Sequence, residues 1–280
     1  MFYLLKYFIQ MKILFRNNDL NEALLGSSNV GFVPTMGSLH NGHISLIKKS
    51  LHYCNKTIVS IFVNPTQFNN KNDYRKYPRN IDRDLKILRK LKVNFVFIPN
   101  KKQIYNSKNK IKIYLSKKEK ILCAKYRKGH FEGVIDVMTR LTKIVKPSKI
   151  FMGEKDFQQL FLVKKYIENN FNSKIILCKT IRDKNKLALS SRNLLLNKRN
   201  LIKAANISKN LIHFKKKLSK KKFTNKEILK KKDELEKLYN IDIEYLEVRN
   251  RINLKLTNKV KNSKILIAYY LSGIRLIDNF

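Results

Sequence analysis

Cysteine, acidic side chains and long apolar runs are all scarce in this 280-residue sequence. The three cysteines, Cys54, Cys123 and Cys178, are far apart and match no C-x-x-C spacing. That excludes a disulfide-built scaffold and a zinc knuckle, and it leaves reduced, buried thiols of the kind found in cytoplasmic proteins. The most apolar opening stretch, residues 1–10, is much shorter than the ~20 residues of a membrane span. It also lacks the small-residue cleavage site of a signal peptide. These residues are expected to be a frayed or mis-annotated extension ahead of Met11, and no membrane partner is expected. Acidic residues number 20 against 61 Lys and Arg, a formal net charge of +41. Such a surplus commonly marks a nucleic-acid or anionic-membrane partner. Here it is mostly Lys, spread through many predicted helices among abundant Asn and Ile, the pattern of drift under AT-rich codon usage. No specific nucleic-acid partner is therefore expected. The charge should still steer small anions to the protein and cause weak adhesion to RNA at low salt.

Against these shortages, the 43% hydrophobic content and the length support a real core in one large or two modest domains. The densest information lies in Val33-Pro34-Thr35-Met36-Gly37-Ser38-Leu39-His40-Asn41-Gly42-His43. Val30-Gly31-Phe32-Val33 reads as a buried strand that Pro34 and Gly37 punctuate, and Ile44, Leu46, Ile47 and Leu51 give helical spacing afterwards. A helix start of this kind offers open backbone N–H groups and a partial positive charge to a phosphate. His40 and His43 fall on one face if both are helical, where imidazoles can donate to phosphate oxygens. Taken alone, the pair fits surface or capping histidines equally well.

The chain then alternates strand and helix patterns. Residues 57–63 form a β-branched run stopped by Asn64-Pro65, a helix carries Ile81, Leu85, Leu88 and Leu91, and Phe95-Val96-Phe97-Ile98 is the next strand. That β-α-β-α-β order predicts an α/β fold, a Rossmann-like doubly wound parallel sheet with ligands at the carboxyl ends of its strands. His40, His43, Asn64 and Gln67 lie just past such ends. Residues 100–110 read as a loop. Residues 127–133 read as a glycine-punctuated loop before a helix carrying Val134, Val137, Leu141 and Val145. Ile150-Phe151-Met152 is a strand leading into Gly153-Glu154-Lys155-Asp156, where Lys155 is placed for a phosphate and Asp156 with Gln159 fits a helix cap. Beyond residue 193 come Lys-rich amphipathic helices near residues 202–218 and 228–239, then strands at 241–248 and 265–270. This is a smaller α+β domain, and the division expected is 1–186 and 187–280, the second part closing over the site. Ser190 and Ser191 fit helix caps as well as phosphate ligands.

His40-Asn41-Gly42-His43 has the H-x-G-H form of the nucleotidyltransferase signature. The residues from Pro34 to His40 resemble the pantothenate synthetase (pantoate–β-alanine ligase) family in particular. Residues 59–68, Tyr77-Pro78-Arg79, residues 129–133, 153–156 and 187–193, and the tail Arg275-Leu276-Ile277-Asp278-Asn279 resemble blocks of the same family, in family order. Lys179 stands where the family has proline and Lys186 where it has glycine, so the loop into the second domain is expected to be looser. The poorly matched region before Gly31 leaves a first helix in question.

The resemblance implies a two-step, ATP-dependent ligation of pantoate to β-alanine through a pantoyl adenylate, in a cytoplasmic homodimer. His40, His43 and Lys155 would be the catalytic residues, with His43 in the general-acid position. Met36, Gly37, Ser38, Leu39, His40, Asn41, Gly42, His43, Gly153, Glu154, Lys155, Asp156, Ile181, Leu189, Ser190, Ser191 and Arg192 would line ATP. Gln67 and Gln159, with Asn64 nearby, would hold pantoate, Gln67 lying also near β-alanine. The motifs contain no acidic metal cage, so Mg²⁺ is expected to ride mainly on the phosphates. Another nucleotidyltransferase would share the histidines without needing the glutamine pair. A class I aminoacyl-tRNA synthetase would be longer and carry a K-M-S-K-S string.

Overall fold

The computed structural model describes residues 11–105, 112–220 and 222–280; the reading of residues 1–10 and part of that of the loop at 100–110 lie outside them. In chain order the elements are β1 (Lys12–Leu14), α1 (Asn17–Leu24), β2 (Val30–Thr35), α2 (Asn41–Tyr53), β3 (Lys56–Ile61), α3 (Lys71–Lys76), α4 (Ile81–Lys90), β4 (Phe95–Phe97) and α5 (Lys101–Ile104). There follow α6 (Cys123–Tyr126), α7 (His130–Val145), β5 (Lys149–Gly153), α8 (Phe157–Asn170), β6 (Lys174–Cys178), α9 (Lys198–Leu218), α10 (Asn225–Tyr239), β7 (Asp242–Asn250), β8 (Ser263–Leu271) and β9 (Ile274–Asn279). They form two compact units. One holds residues up to 116 with 129–153 and 159–178; the other holds 117–128, 154–158 and 179–280.

The first unit is the expected Rossmann-like sheet, six strands in the order β1-β4-β3-β2-β5-β6, with every pairing parallel. Parallel strands are covered on both faces, so they read as continuous apolar runs. Phe32, Val33, Ile58, Val59, Val96, Phe97, Ile150 and Phe151 are all fully buried, each worth about 1.5–3 kcal/mol of burial. Strand order reverses between β2 and β5, which places a crevice at their carboxyl ends. Met36 follows directly from β2, and Gly153 closes β5.

Several local readings change. β2 runs through Pro34 to Thr35 rather than stopping at the proline. This is tolerated because β5 pairs only with Gly31 and Phe32, so β2 has lost that neighbour by residue 34. The helix α1 is present despite the weak resemblance there. Residues 101–104 form a single helical turn, closed by a reciprocal cap between Asn100 and Gln103. α7 begins at His130, not beyond Gly133, because Gly129 takes a left-handed φ of 78° at the cap.

The second unit carries a three-stranded antiparallel sheet, β7-β8-β9, with Leu246 opposite Ile267 and Ala268 opposite Ile277. Its core joins Ala204, Leu211 and Leu235 from the helices to Ile267 from the sheet, all fully buried. α10 opens with the Thr224–Glu227 capping box and ends at Asn240 in the left-handed region. This is the smaller α+β arrangement expected; β9 was not foreseen as a strand.

Candidate active site

The loop from β2 to α2 is tied down from inside. Thr35, buried at the end of β2, donates its hydroxyl to the Ser60 carbonyl at 2.7 Å and accepts from the Gly37 N–H at 3.1 Å. Gly37 and Ser38 then take left-handed φ values of 77° and 52°. A Cβ at Gly37 would stand 3.0 Å from Asp84 Oδ2 and 3.1 Å from Ile61 Cγ2, a tight fit added to a φ that itself favours glycine. Asp84, on the first turn of α4 and 1% exposed, accepts the Ser38 N–H on Oδ2 and the Leu39 N–H on Oδ1, both at 2.7 Å. Burial pushes the Asp84 carboxyl up, against the pull of those two amides and of Arg83.

His40 precedes α2 as its cap, with extended backbone, so the two histidines do not share a helical face. Instead they cap each other. His40 Nδ1 accepts the Gly42 N–H at 3.0 Å, and His43 Nδ1 accepts the His40 N–H at 3.3 Å. The rings lie 4.1 Å apart, inclined by 33°. An imidazole that accepts on Nδ1 carries its proton on Nε2 when neutral, so both rings are Nε2–H donors. The expectation of open backbone N–H groups is thereby corrected in part. Those of Gly37, Ser38, Leu39, His40 and Gly42 are all engaged by the protein's own side chains, which makes the two rings prominent donors of this stretch.

Past the end of β3, Asn64 is 1% exposed and its amide is committed internally. Oδ1 accepts from Tyr105 Oη at 2.8 Å and from Thr66 Oγ1 at 3.0 Å; Nδ2 donates to the Gly133 carbonyl and to Gln67 Oε1, both at 3.2 Å. Asn64 therefore orients Gln67, whose Nε2 meets Met36 Sδ at 3.0 Å. α7 closes on this turn. A Cβ at Gly133 would lie 2.4 Å from the Thr66 carbonyl oxygen, and His130 Nδ1 is 2.6 Å from the Gln67 carbonyl. Burial raises the Tyr105 phenol. Met36, Asn64 and Gln67 are thus brought together with the histidine loop in one unit, while Gln159 lies half-buried on α8.

In the second unit, Glu154, Lys155 and Asp156 form a 3-10 turn. Asn279 Nδ2 holds this turn by the carbonyls of Glu154 and Lys155 at 2.8 Å each, and Arg251 pairs with Glu154 at 2.9 Å. Ser190 caps a second 3-10 turn, Ser191–Leu195, accepting from the Arg192 N–H at 3.3 Å. Ile181 accepts from the Leu189 N–H at 3.0 Å, and the adjoining Arg182 grips Asp278 with two bonds of 2.7 and 2.8 Å. Lys186 takes a left-handed φ of 73°, the conformation glycine would adopt freely. Its turn is nevertheless closed by Asp183, whose Oδ1 accepts from Asn185 and Leu187. The substitution places a side chain at a left-handed backbone position. A cavity of about 430 Å³ in this unit gathers Arg182, Lys215, Lys216 and Lys264; burial, with Arg251 and Lys215 close by, brings the Lys264 ammonium down to about 8.

Asp84, Tyr105 and His130 were missed by the sequence reading. Asp84 looks like an ordinary first-turn acid of an amphipathic helix. Its one local signal is that it occupies a buried position of that helix beside Leu85 and Leu88.

The family model for pantoate-beta-alanine ligase matches residues 12–280. The pantothenate synthetase of Francisella tularensis subsp. novicida (strain U112) is 40% identical over 275 residues, covering 94% of this chain and 93% of that one. Among solved structures, pantothenate synthetase from Thermus thermophilus matches with a TM-score of 0.90 at 30% identity, over 96% of this chain and 99% of that one. The Francisella tularensis pantoate-beta-alanine ligase complexed with beta-gamma ATP and beta-alanine matches with a TM-score of 0.83 at 37% identity, over 96% and 97% of the two chains. The chain belongs to the pantoate–β-alanine ligase family.

Proposed function

We propose that this protein joins pantoate to β-alanine at the expense of ATP, releasing AMP and pyrophosphate, and that it does so through a pantoyl adenylate. The observation that carries the reading is the pairing of two Nε2–H imidazoles past β2 with an oriented Gln67 past β3, beside the strand-order reversal of the sheet. Donors for phosphate and an amide for a hydroxy acid are what adenylation of pantoate asks of a site.

In the first step the pantoate carboxylate oxygen attacks the α-phosphorus, a new P–O bond forms, and the bond to the β-phosphate oxygen breaks. His40 and His43 donate from Nε2 to the phosphate oxygens as charge builds on them, His43 toward the leaving pyrophosphate. Lys155 offers a point charge to the same oxygens, and Arg192, with Ser190 and Ser191, covers the triphosphate. Met36, Gly37, Ser38, Leu39, Asn41, Gly42, Gly153, Glu154, Asp156, Ile181 and Leu189 complete the nucleotide's surroundings. Gln67 and Gln159 bind pantoate's hydroxyls and leave its carboxylate free, with Asn64 setting the Gln67 amide. In the second step the β-alanine amine attacks the acyl carbon, loses a proton, and expels AMP.

ATP enters as its Mg²⁺ complex. The donors beside the histidines are amides and imidazoles, and no group of three or more His, Cys, Asp or Glu able to hold a metal stands together among the described residues. As a hard ion that keeps its waters, Mg²⁺ would ride mainly on the phosphates. A nucleotide-binding part at residues 1–186, a part at 187–280 that closes over it, a homodimer and a cytoplasmic setting belong to the same reading. No helix among the described residues is long and apolar enough to cross a membrane.

The deciding measurement is exchange of pyrophosphate into ATP without β-alanine. Exchange that requires pantoate is the expected result. Exchange with a different acid would move the protein to another adenylating reaction, and none with any acid would remove the adenylate.

A further inference from the structure

The clasp on the loop between β2 and α2 comes from 46 residues further along the chain. A buried carboxylate is normally paired with a cation; here two consecutive peptide N–H groups meet it, one on each oxygen. Those amides belong to Ser38 and Leu39, immediately before His40. Ser38 holds a left-handed backbone that an L-residue adopts only when its surroundings enforce it. We infer that Asp84 is a positioning residue for the ATP half-reaction: by binding the Ser38 and Leu39 amides it locks the turn at Gly37 and Ser38, and so sets where the Nε2 atoms of His40 and His43 stand.

The inference rests on the reading that residues 36–43 hold the phosphates. Three features support it. Turn and carboxylate hold each other, since relaxing the turn would leave a buried charge without its donors. Gly37 sits in a tight gap between Asp84 and Ile61, where a methyl would have to displace both side chains by a few tenths of an ångström, so the clasp fixes position as well as hydrogen bonding. Finally, the Ser38 and Leu39 amides are turned inward, and the mutual cap of the two rings starts at the next residue, His40. A displacement of Leu39 carries straight into that cap.

Asp84→Asn keeps the shape and one acceptor oxygen but sets an NH₂ against one of the two amides; Asp84→Ala removes both acceptors. In pantoate-dependent pyrophosphate exchange, the rate per folded enzyme should fall about tenfold in Asp84→Asn and about 10²-fold in Asp84→Ala, with the KM for pantoate unchanged. Adding His43→Ala to Asp84→Asn should cost much less than His43→Ala costs alone, because the two act through one group. Gly37→Ala should imitate Asp84→Asn. If the Asp84→Asn enzyme melts lower but turns over normally per folded molecule, or if its effect and that of His43→Ala multiply in full, the inference is overturned and the adenylate reading stands. Wild-type enzyme without pantoate-dependent exchange would overturn the reading, and this inference with it.

Discussion

The loop between β2 and α2 and the helix α9 handle polar groups in opposite ways. From Thr35 to His43 there is no Lys, Arg, Asp or Glu. The N–H groups of Gly37, Ser38, Leu39, His40 and Gly42 are met by Thr35, Asp84, His40 and His43. α9, from Lys198 to Leu218, has no acidic residue at all, and its last turn is Lys215, Lys216 and Lys217. Apart from the half-buried Lys215, most of its surplus charge faces water, where an exposed ion pair would be worth only about 0–1 kcal/mol, so there is little to lose when acids disappear. The contrast teaches where the chain's extreme charge could accumulate. Lysine gathers on solvated faces because little there depends on position, whereas in the loop the backbone is held by particular side chains in particular places.

That contrast can be broken most strongly at His43. His43→Ala should slow adenylate formation by about 10²–10⁴-fold and cost roughly 1 kcal/mol of stability through the lost cap. His43→Gln, which can restore the reciprocal cap without a ring donor, should recover the melting temperature but not the rate. Equal recovery of both would reduce His43 to a cap. The next largest effect is expected at Gly133→Ala. The methyl would press on the Thr66 backbone, which cannot swing aside, so a loss of about 1–3 kcal/mol is expected together with a roughly tenfold rise in the KM for pantoate. Unchanged pantoate kinetics would separate α7 from the substrate turn.

In the charged unit the expected sign is the reverse. The folded-state value of Lys264, about 8, lies below the ordinary 10.5. The unfolded chain therefore binds more protons between those limits, and stability rises with pH across that window. Below pH 8 the cost of the buried ammonium is present in full. Lys264→Met should be more stable than wild type at pH 7 by on the order of 1–3 kcal/mol, and melting curves should show the advantage shrinking from pH 8 to 10.5. A constant difference would discount the buried charge. Smallest of all, Lys216→Gln and Lys217→Gln should each cost well under about 1 kcal/mol, through the helix dipole, and leave turnover unchanged.

The sheet was legible because buried parallel strands are dense in apolar and β-branched residues, as with Ile58, Val59 and Ile61 of β3, and because Pro and Gly fall near their ends. The H-x-G-H string and the Asn64–Gln67 turn were legible for the same reason: local motifs at strand ends. What escaped is long-range. Nothing local says that Asp84 reaches back to Ser38, that Tyr105 reaches Asn64 41 residues away, or that Gly133 exists for the sake of Thr66. At the helix start the sequence left two readings open, histidines on one helical face or histidines as caps, and His40 takes the second: its imidazole accepts from the N–H two residues on, a role usually filled by Ser or Asp.

The Asp84 clasp has a further consequence for hydrogen exchange. Loops that meet ligands ordinarily exchange their amide protons quickly, because they open locally. The Ser38 and Leu39 protons are held by the buried Asp84 carboxylate of α4, so they should be released only when that part of the unit opens as a whole. The active loop then belongs to the slow-exchanging foldon of the sheet. A deuterium label at these two amides would report the stability of the scaffold beneath the site.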